Sequence, residues 1–503
     1  MTETPKTPEA EKNEASAEER PPLFDRDFLR QTTGFLTFSL IHPWFFVADR
    51  FTLMNFYLVC AGVSFAASLI LKTGVLKKIL RWALEFLLFI GIIPLSGFGV
   101  GLLWLTKTWW LLALIPLWFI IFRATPLRKT GFRPGWLSSY YVLWCIIISV
   151  WYGVYALPHD GFQPEEAFTA HYPPSEFTKG HADRSPAFPY DVAYAPKNDL
   201  LVAALKEKGG GLPLTFPADF SNGVVAVRTQ SGERFTLPLP KSEIPETIAI
   251  HPSGKRMFVN LWKVAAAECT VIEVSLETLP PTIVGEVSLG ENLQDIIFDS
   301  KNDRVLAFGG DRNVFRLSYD PLTLEEVIPY ERDNSFYQVG NAHLLHNEEG
   351  LTAYISTFEG VFAEWDAEQG GTIRKVEQGR VLPRMAYDPK KEHFYVTDIL
   401  HATVSVIDRK NMELLKQFQL PGNPAAIAVM PPKGLLFVAD YLDGSIRVLN
   451  QDTGEVVASG YVGPQVRALT YEPESQRLFG VSKAGVFEID ADILVEKGSV
   501  AKP

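Results

Sequence analysis

The chain has 503 residues, 47% of them hydrophobic, and a formal net charge of −11. That length exceeds one ordinary domain, so two or more units are expected. Its acidity argues against a nucleic-acid partner, because neutralising phosphates needs a basic footprint.

Residues 1–31 read as a disordered acidic N-terminal tail. Its opening, MTETPKTPEAEKNEASAEERPP, has hardly an apolar side chain and cannot offset its ordering entropy. No apolar core follows a basic start, so the segment does not read as a secretory signal.

Residues 32–156 are expected to form a transmembrane helical bundle of four or five spans embedded in the lipid bilayer. The runs 52–71, 82–105, 108–123 and 137–156 each approach the length of a membrane-crossing helix. The shorter run 34–48, with His42 and Pro43, is a fifth span or an interfacial helix. Nine of the eleven tryptophans precede residue 152, as suits an interface where the ring is apolar and the N–H wet. Lys72, Lys77, Lys78 and Arg81 follow the first long run, and Arg123, Arg128, Lys129 and Arg133 precede the last. Basic residues favour cytoplasmic loops. From Tyr155 to Lys179 there is no Lys or Arg, so everything beyond the last run is expected outside the cytoplasm. Glu85 lies four residues after Arg81, which reads as an interfacial ion pair rather than a relay.

Residues 157–186 form a Pro-rich linker whose histidines, His159, His171 and His181, are read as binding nothing. From 187 to 503 the chain repeats itself. The stretch FYVTDILHATVSVID (394–408) returns 42 residues later as LFVADYLDGSIRVLN. Equivalent positions fall at Val192, Ile248, Ile296, Leu344, Met385, Ile427 and Leu469, in steps of 56, 48, 48, 41, 42 and 42. Each copy holds a short apolar strand, a turn, a stronger strand, a third strand and a weaker fourth. Four antiparallel strands repeated seven times describe an all-β seven-bladed β-propeller. The fold class expected is therefore multi-domain, a transmembrane α-helical bundle followed by that propeller.

The propeller region resembles the YVTN-type β-propeller repeat family. The signature stands as YVTD at 395–398 and FVAD at 437–440, and a Pro-x-x-Ile-Ala lead-in recurs at Pro245–Ala249 and Pro424–Ala428. The resemblance implies fold far more than function, since such propellers host binding proteins and several unrelated enzymes. Asp398 and Asp440, closing the second strands, read as turn formers that cap their own backbone.

Inner strands of a propeller line its axis, and the residues just before them ring one mouth. Those positions supply Tyr190, Asp191, Glu246, Gln294, Asp295, His343, Arg384, Ala425, Ala426 and Arg467. Of these, Tyr190, Asp191, Glu246, Asp295, His343, Arg384 and Arg467 are the candidate ligand-binding set. Acidic groups fall on blades one to three and basic groups on five and seven, an asymmetry that suits a zwitterionic or peptide-like ligand. The longest loops, 206–222 and 329–343, should open on the same face, and long loops on a rigid scaffold often carry binding.

Enzyme signatures are sparse: there is no Cys-x-x-Cys-His, His-Glu-x-x-His or Gly-x-Ser-x-Gly. No catalytic residue, metal ligand or cofactor is assigned. His343 and His346 are three residues apart, which on a strand sends them to opposite faces. Cys269, the one cysteine beyond residue 145, reads as a small strand hydrophobe. The reading that results is a membrane-anchored, extracytoplasmic binding or scaffold module for a protein, peptide or glycan in a bacterial envelope complex, at the inner membrane. The alternatives are a propeller enzyme (lyase, lactonase or quinone-type oxidoreductase) and a sensor coupled to the membrane region. Ring closure is open between two candidates: EAFTAHY (166–172) docking on blade seven, or DILVE near the C-terminus completing it alone.

Overall fold

Short alternating runs broken by Asp, Asn, Gly and Pro turns can form hairpins but cannot bury both faces of a sheet alone; stacking blades around an axis buries them. The computed structural model describes residues 162–173, 188–206, 223–240, 243–263, 268–310, 313–330, 339–347, 350–379 and 381–498. All lie in the second of the two units into which the chain divides, Trp151–Pro503. They form seven four-stranded antiparallel sheets, the blades of a β-propeller. The inner strands, in ring order, are Phe188–Ala195, Glu243–Ile250, Leu293–Asp299, Val339–Asn347, Met385–Asp388, Pro424–Met430 and Ala468–Glu472. Each packs against the next, and the last packs against the first.

The core is divided among the clefts between blades. Val202 and Ile272 belong to the cleft between blades one and two, Phe258 and Phe315 to that between two and three, and Trp365 and Leu306 to the third. Phe362 and Phe394, Tyr395 and Leu436, Phe437 and Leu478, and Phe479 and Val225 continue the ring to blade one. Second strands are covered on both faces, which is why LLFVAD (Leu435–Asp440) is buried at every position and reads as an unbroken apolar run. Outer strands are covered least: Ile283, Val284, Leu324, Val327, Ile373, Leu414 and Leu415 are all exposed, on blades two to five.

Blade seven closes the ring with a strand from upstream. Phe168–Tyr172 is its outer strand, pairing antiparallel with Gly485–Asp490 from Phe168 opposite Ile489 to Tyr172 opposite Val486. The competing candidate is not a strand. Ala491–Lys497 forms a short helix, α1, because Asp490 accepts hydrogen bonds from the N–H groups of Asp492 (3.0 Å) and Ile493 (2.9 Å) and so caps its first turn. Helix α1 lies on the outer strand of blade six, Val456–Tyr461, where Gln163 also bridges to Tyr461.

The expected two-part architecture is corrected here. The described residues are a propeller with one short α-helix, and no helix among them is long and apolar enough to cross a membrane. Their apolar runs are strands of four to nine residues clamped between blades, a length that suits a blade and not a bilayer. The predicted tail (1–31), the predicted spans within 32–156 and the Arg81–Glu85 pair lie outside the described residues, as do His159 and His181.

Candidate functional site

At the mouth, five inner strands begin with a register shift: between Pro189 and Asp191, Pro245 and Ile248, Leu293 and Asp295, Val339 and Asn341, and Pro424 and Ala426. A bulge inserts an extra residue, bends the strand and re-aims the side chain that follows. The last residue within the bulge in blade two and the residue just after it in the other four, with those preceding Met385 and Ala468, make one ring: Asp191, Thr247, Asp295, Asn341, Arg384, Ala426 and Arg467. Six of the seven are polar.

Their polar atoms link neighbouring blades. Asp191 Oδ2 accepts the Ile248 N–H of blade two at 3.0 Å. Asp295 Oδ2 accepts the Ala342 N–H of blade four (2.8 Å) and the Asn341 amide (2.7 Å). Asn341 Oδ1 in turn accepts the Met385 N–H of blade five at 3.2 Å. The series of links breaks at blade two. Thr247 is the short member of the ring, and the Ile296 N–H beyond it is taken by Asp295 Oδ1 at 2.9 Å. Among the described residues the Thr247 hydroxyl, on a residue 3% exposed, has no hydrogen-bond partner.

The basic side supplies two guanidinium groups. Arg384 reaches from blade five to Asp191 of blade one, Nη2 to Oδ1 at 3.7 Å, and its Nε donates to the Arg467 carbonyl at 3.4 Å. Arg467 donates to the Tyr441 hydroxyl at 3.0 Å, and its guanidinium lies 4.6 Å from the Tyr190 ring centroid and 5.4 Å from that of Tyr441. Burial raises both carboxyl groups, Asp295 to about 6, while the Arg384 charge pulls each back down. The 3.7 Å approach of Arg384 to Asp191 brings side chains of blades five and one together across the axis.

Five members of the candidate set thus gather here: Tyr190, Asp191, Asp295, Arg384 and Arg467. Glu246 precedes Thr247 within the blade-two bulge. His343 stands elsewhere. Ala342 pairs with Ile355 as Ile296 pairs with Ala307, so Asn341 occupies the ring in blade four and His343 lies two residues deeper. Its imidazole is half-buried, 5.5 Å from the ring of Tyr387 and 5.8 Å from that of Phe394, and the loss of hydration pushes its pKa down to about 4. His346 is separate, bonded through Nε2 to Asp299 Oδ1 at 2.7 Å. Among the described residues no group of three or more His, Cys, Asp or Glu side chains is placed to hold a metal ion. Sequence reasoning missed Asn341 because the bulge in blade four hides the ring position, Thr247 because the charged Glu246 beside it is the more obvious candidate, and Tyr441 because it comes from a turn after the second strand and not from an inner strand. The strands that flank 207–222 and 331–338 end on the mouth side, as Lys206 opposite Phe188 and Pro329 opposite Asn313 show; residues 207–222 and 331–338, with Phe336 and Tyr337, lie outside the described residues.

Away from the mouth, the polar side chains act structurally. Asp440 Oδ1 accepts the N–H groups of Leu442 (2.8 Å) and Asp443 (2.9 Å), and Asp398 Oδ1 does the same for Leu400 (2.9 Å) and His401 (3.0 Å). Cys269 is buried and its thiol is pushed up to about 12 by burial, which keeps it protonated and inert. His171 sits on the closing strand with Nε2 2.8 Å from the Ala484 carbonyl oxygen. Compared with known proteins, the sequence matches no family profile and no curated protein.

Proposed function

We propose that this protein is a binding or scaffold module whose propeller presents its polar mouth to a protein, peptide or glycan partner in a bacterial envelope complex. The observation that carries the reading is the ring itself, in which charged and polar side chains from six blades converge on one end of a rigid, closed scaffold. A closed ring of blades holds such groups without ordering cost at the moment of binding, which is what favours affinity. The YVTD and FVAD strands support membership of the YVTN-type repeat class. In both, the closing Asp ties the turn after it. The basic clusters at 72–81 and 123–133, and the absence of Lys and Arg between 156 and 178, support an extracytoplasmic propeller at the inner membrane.

Two measurements test the reading. A reporter active only after export, fused after Pro503, is expected to be active; activity of a cytoplasm-only reporter in its place overturns the localisation. Affinity purification of the full-length protein from native membranes is expected to retain a partner in stoichiometric amount, and retention of none overturns the binding reading.

A further inference from the structure

The mouth also indicates the chemistry of what enters it. Arg384 has five N–H donors yet among the described residues makes two polar contacts, at 3.4 and 3.7 Å, both at the outer limit for such groups. Arg447, in the same fold, shows how a satisfied guanidinium is held: it has a 2.7 Å bond to Asp443 and a further contact to Asp440 at 3.4 Å. Blade six, between the two arginines of the ring, supplies Ala425 and Ala426 at the ring positions and Tyr441 from its following turn, whose hydroxyl is taken up by Arg467. Tyr441 and Tyr190 stand beside Arg467. Across the axis from Arg384 lies Asp191.

From these observations, and resting on the reading of the mouth as a recognition surface, we propose that it binds a peptide carboxylate. The carboxylate sits on Arg384 with Arg467 beside it, on the side where the ring residues of blade six are alanines, and an adjoining peptide N–H donates to Asp191. A fork of parallel donors matches the planar geometry of a carboxylate better than a point charge does. The dipole of the ring sets the orientation: an anion is drawn to blades five and seven and repelled from the acids of blades one and three. In a protein with a net charge of −11, general electrostatic attraction would not hold an acidic ligand, so binding depends on this local pair.

Two sources present that group, the C-terminus of a polypeptide or an acidic side chain, and the experiment separates them. Purified full-length protein is titrated, by fluorescence anisotropy, with labelled hexapeptide pools of four kinds: free C-terminal acid, C-terminal amide, internal Glu and internal Gln. Tighter binding of the free acid than its amide assigns a C-terminus; tighter binding of Glu than Gln assigns a side chain. Either supports the proposal if Arg384→Gln weakens it by about 30-fold or more with an unchanged melting temperature. Arg384→Lys keeps the charge and loses the fork, and is expected to recover only part of the loss. It serves as the test variant if the Gln form does not fold. Equal binding of every acid and its amide, or no binding by any pool, overturns the proposal, as does capture of a purified partner equally by wild type and an Arg384→Gln/Arg467→Gln variant. In that last case the binding module stands and only its carboxylate chemistry falls.

Discussion

At the scale of single residues, burial decides which ionisable groups do what. Asp398 and Asp440 were legible in the sequence because a turn-capping Asp needs only its own following N–H groups, and these come next in order. Less legible was how tightly they are enclosed. A Cβ at Gly422 would overlap Asp440 Oδ2 and one at Gly379 would overlap Asp398 Oδ2, so glycine in both places allows the backbone to approach the carboxylate. His343 shows the reverse, since its place depends on a bulge that no residue type announces. Its folded pKa of about 4 lies below the ordinary histidine value, so between about 4 and 6.5 the unfolded state binds more protons than the fold. Stability from this residue is complete above about pH 6.5 and is lost as pH falls toward 4, by up to about 3 kcal/mol. Asp295 and Asp440, both raised to about 6, act oppositely: the fold gains stability as pH falls from 6 toward 4. A His343→Gln variant therefore loses the opposing component, and its stability relative to wild type is expected to rise as pH drops from 6.5 to 4. Urea denaturation of both proteins at several pH values measures this; a difference that stays constant with pH removes the half-buried neutral imidazole from the account.

At the scale of elements, the period-two strands and their turns were readable because every second strand is packed on both faces and every turn carries Asp, Asn, Gly or Pro. Two readings failed for local reasons. In blade four the true anchor is Ala342 and not Leu344, because GNAHLLH offers apolar residues at both places and only the bulge between Val339 and Asn341 chooses. DILVE looked like a strand because Ile, Leu and Val suit one, yet Asp490 stands at the N-cap and Leu494 faces the core, 0% exposed. Tertiary packing on blade six outweighs an intrinsic preference worth only tenths of a kcal/mol per residue. The helix should accordingly depend on these two positions. Asp490→Ala is expected to cost about 1 kcal/mol by loss of the cap, and Leu494→Ala about 2–5 kcal/mol by opening a cavity against Ala458 and Phe487. Chemical denaturation gives both values; if Leu494→Ala costs less than Asp490→Ala, α1 is not an anchor of blade six.

At the scale of the whole molecule, a propeller is only as stable as its closure, because each cleft core needs two blades. The last cleft, between blades seven and one, joins Phe479 and Val481 to Val192, Leu201 and Val225, with Tyr172 of the closing strand among them. That strand is fixed by more than its backbone ladder. Thr169 donates to Glu488 at 2.8 Å, Arg477 donates to the same oxygen at 2.8 Å, and Arg477 also reaches Thr229 of blade one at 2.9 Å. Phe162 stacks on Phe168 with centroids 4.5 Å apart, and Gln163 and Tyr461 exchange backbone hydrogen bonds of 3.3 and 2.8 Å. One short segment therefore completes blade seven, covers blade six and braces the contact with blade one. The aromatic spacing of EAFTAHY hinted at this, but nothing in those residues distinguishes a docked strand from a tether, since the partner lies more than 300 residues away. Removing residues 162–173 from the full-length protein exposes the edge Gly485–Asp490 and opens the cores on both sides. Burial of Tyr172 and Phe168 alone is worth about 3–5 kcal/mol, so a fall in melting temperature of roughly 5 °C or more is expected for a domain of this size. The bared edge should also promote self-association. A synthetic peptide of residues 162–173 added in trans is expected to restore part of the lost stability, since it supplies the same ladder and the same aromatic side chains. A melt unchanged by the deletion would mean that blade seven holds with three strands and that closure rests on the inner strands alone.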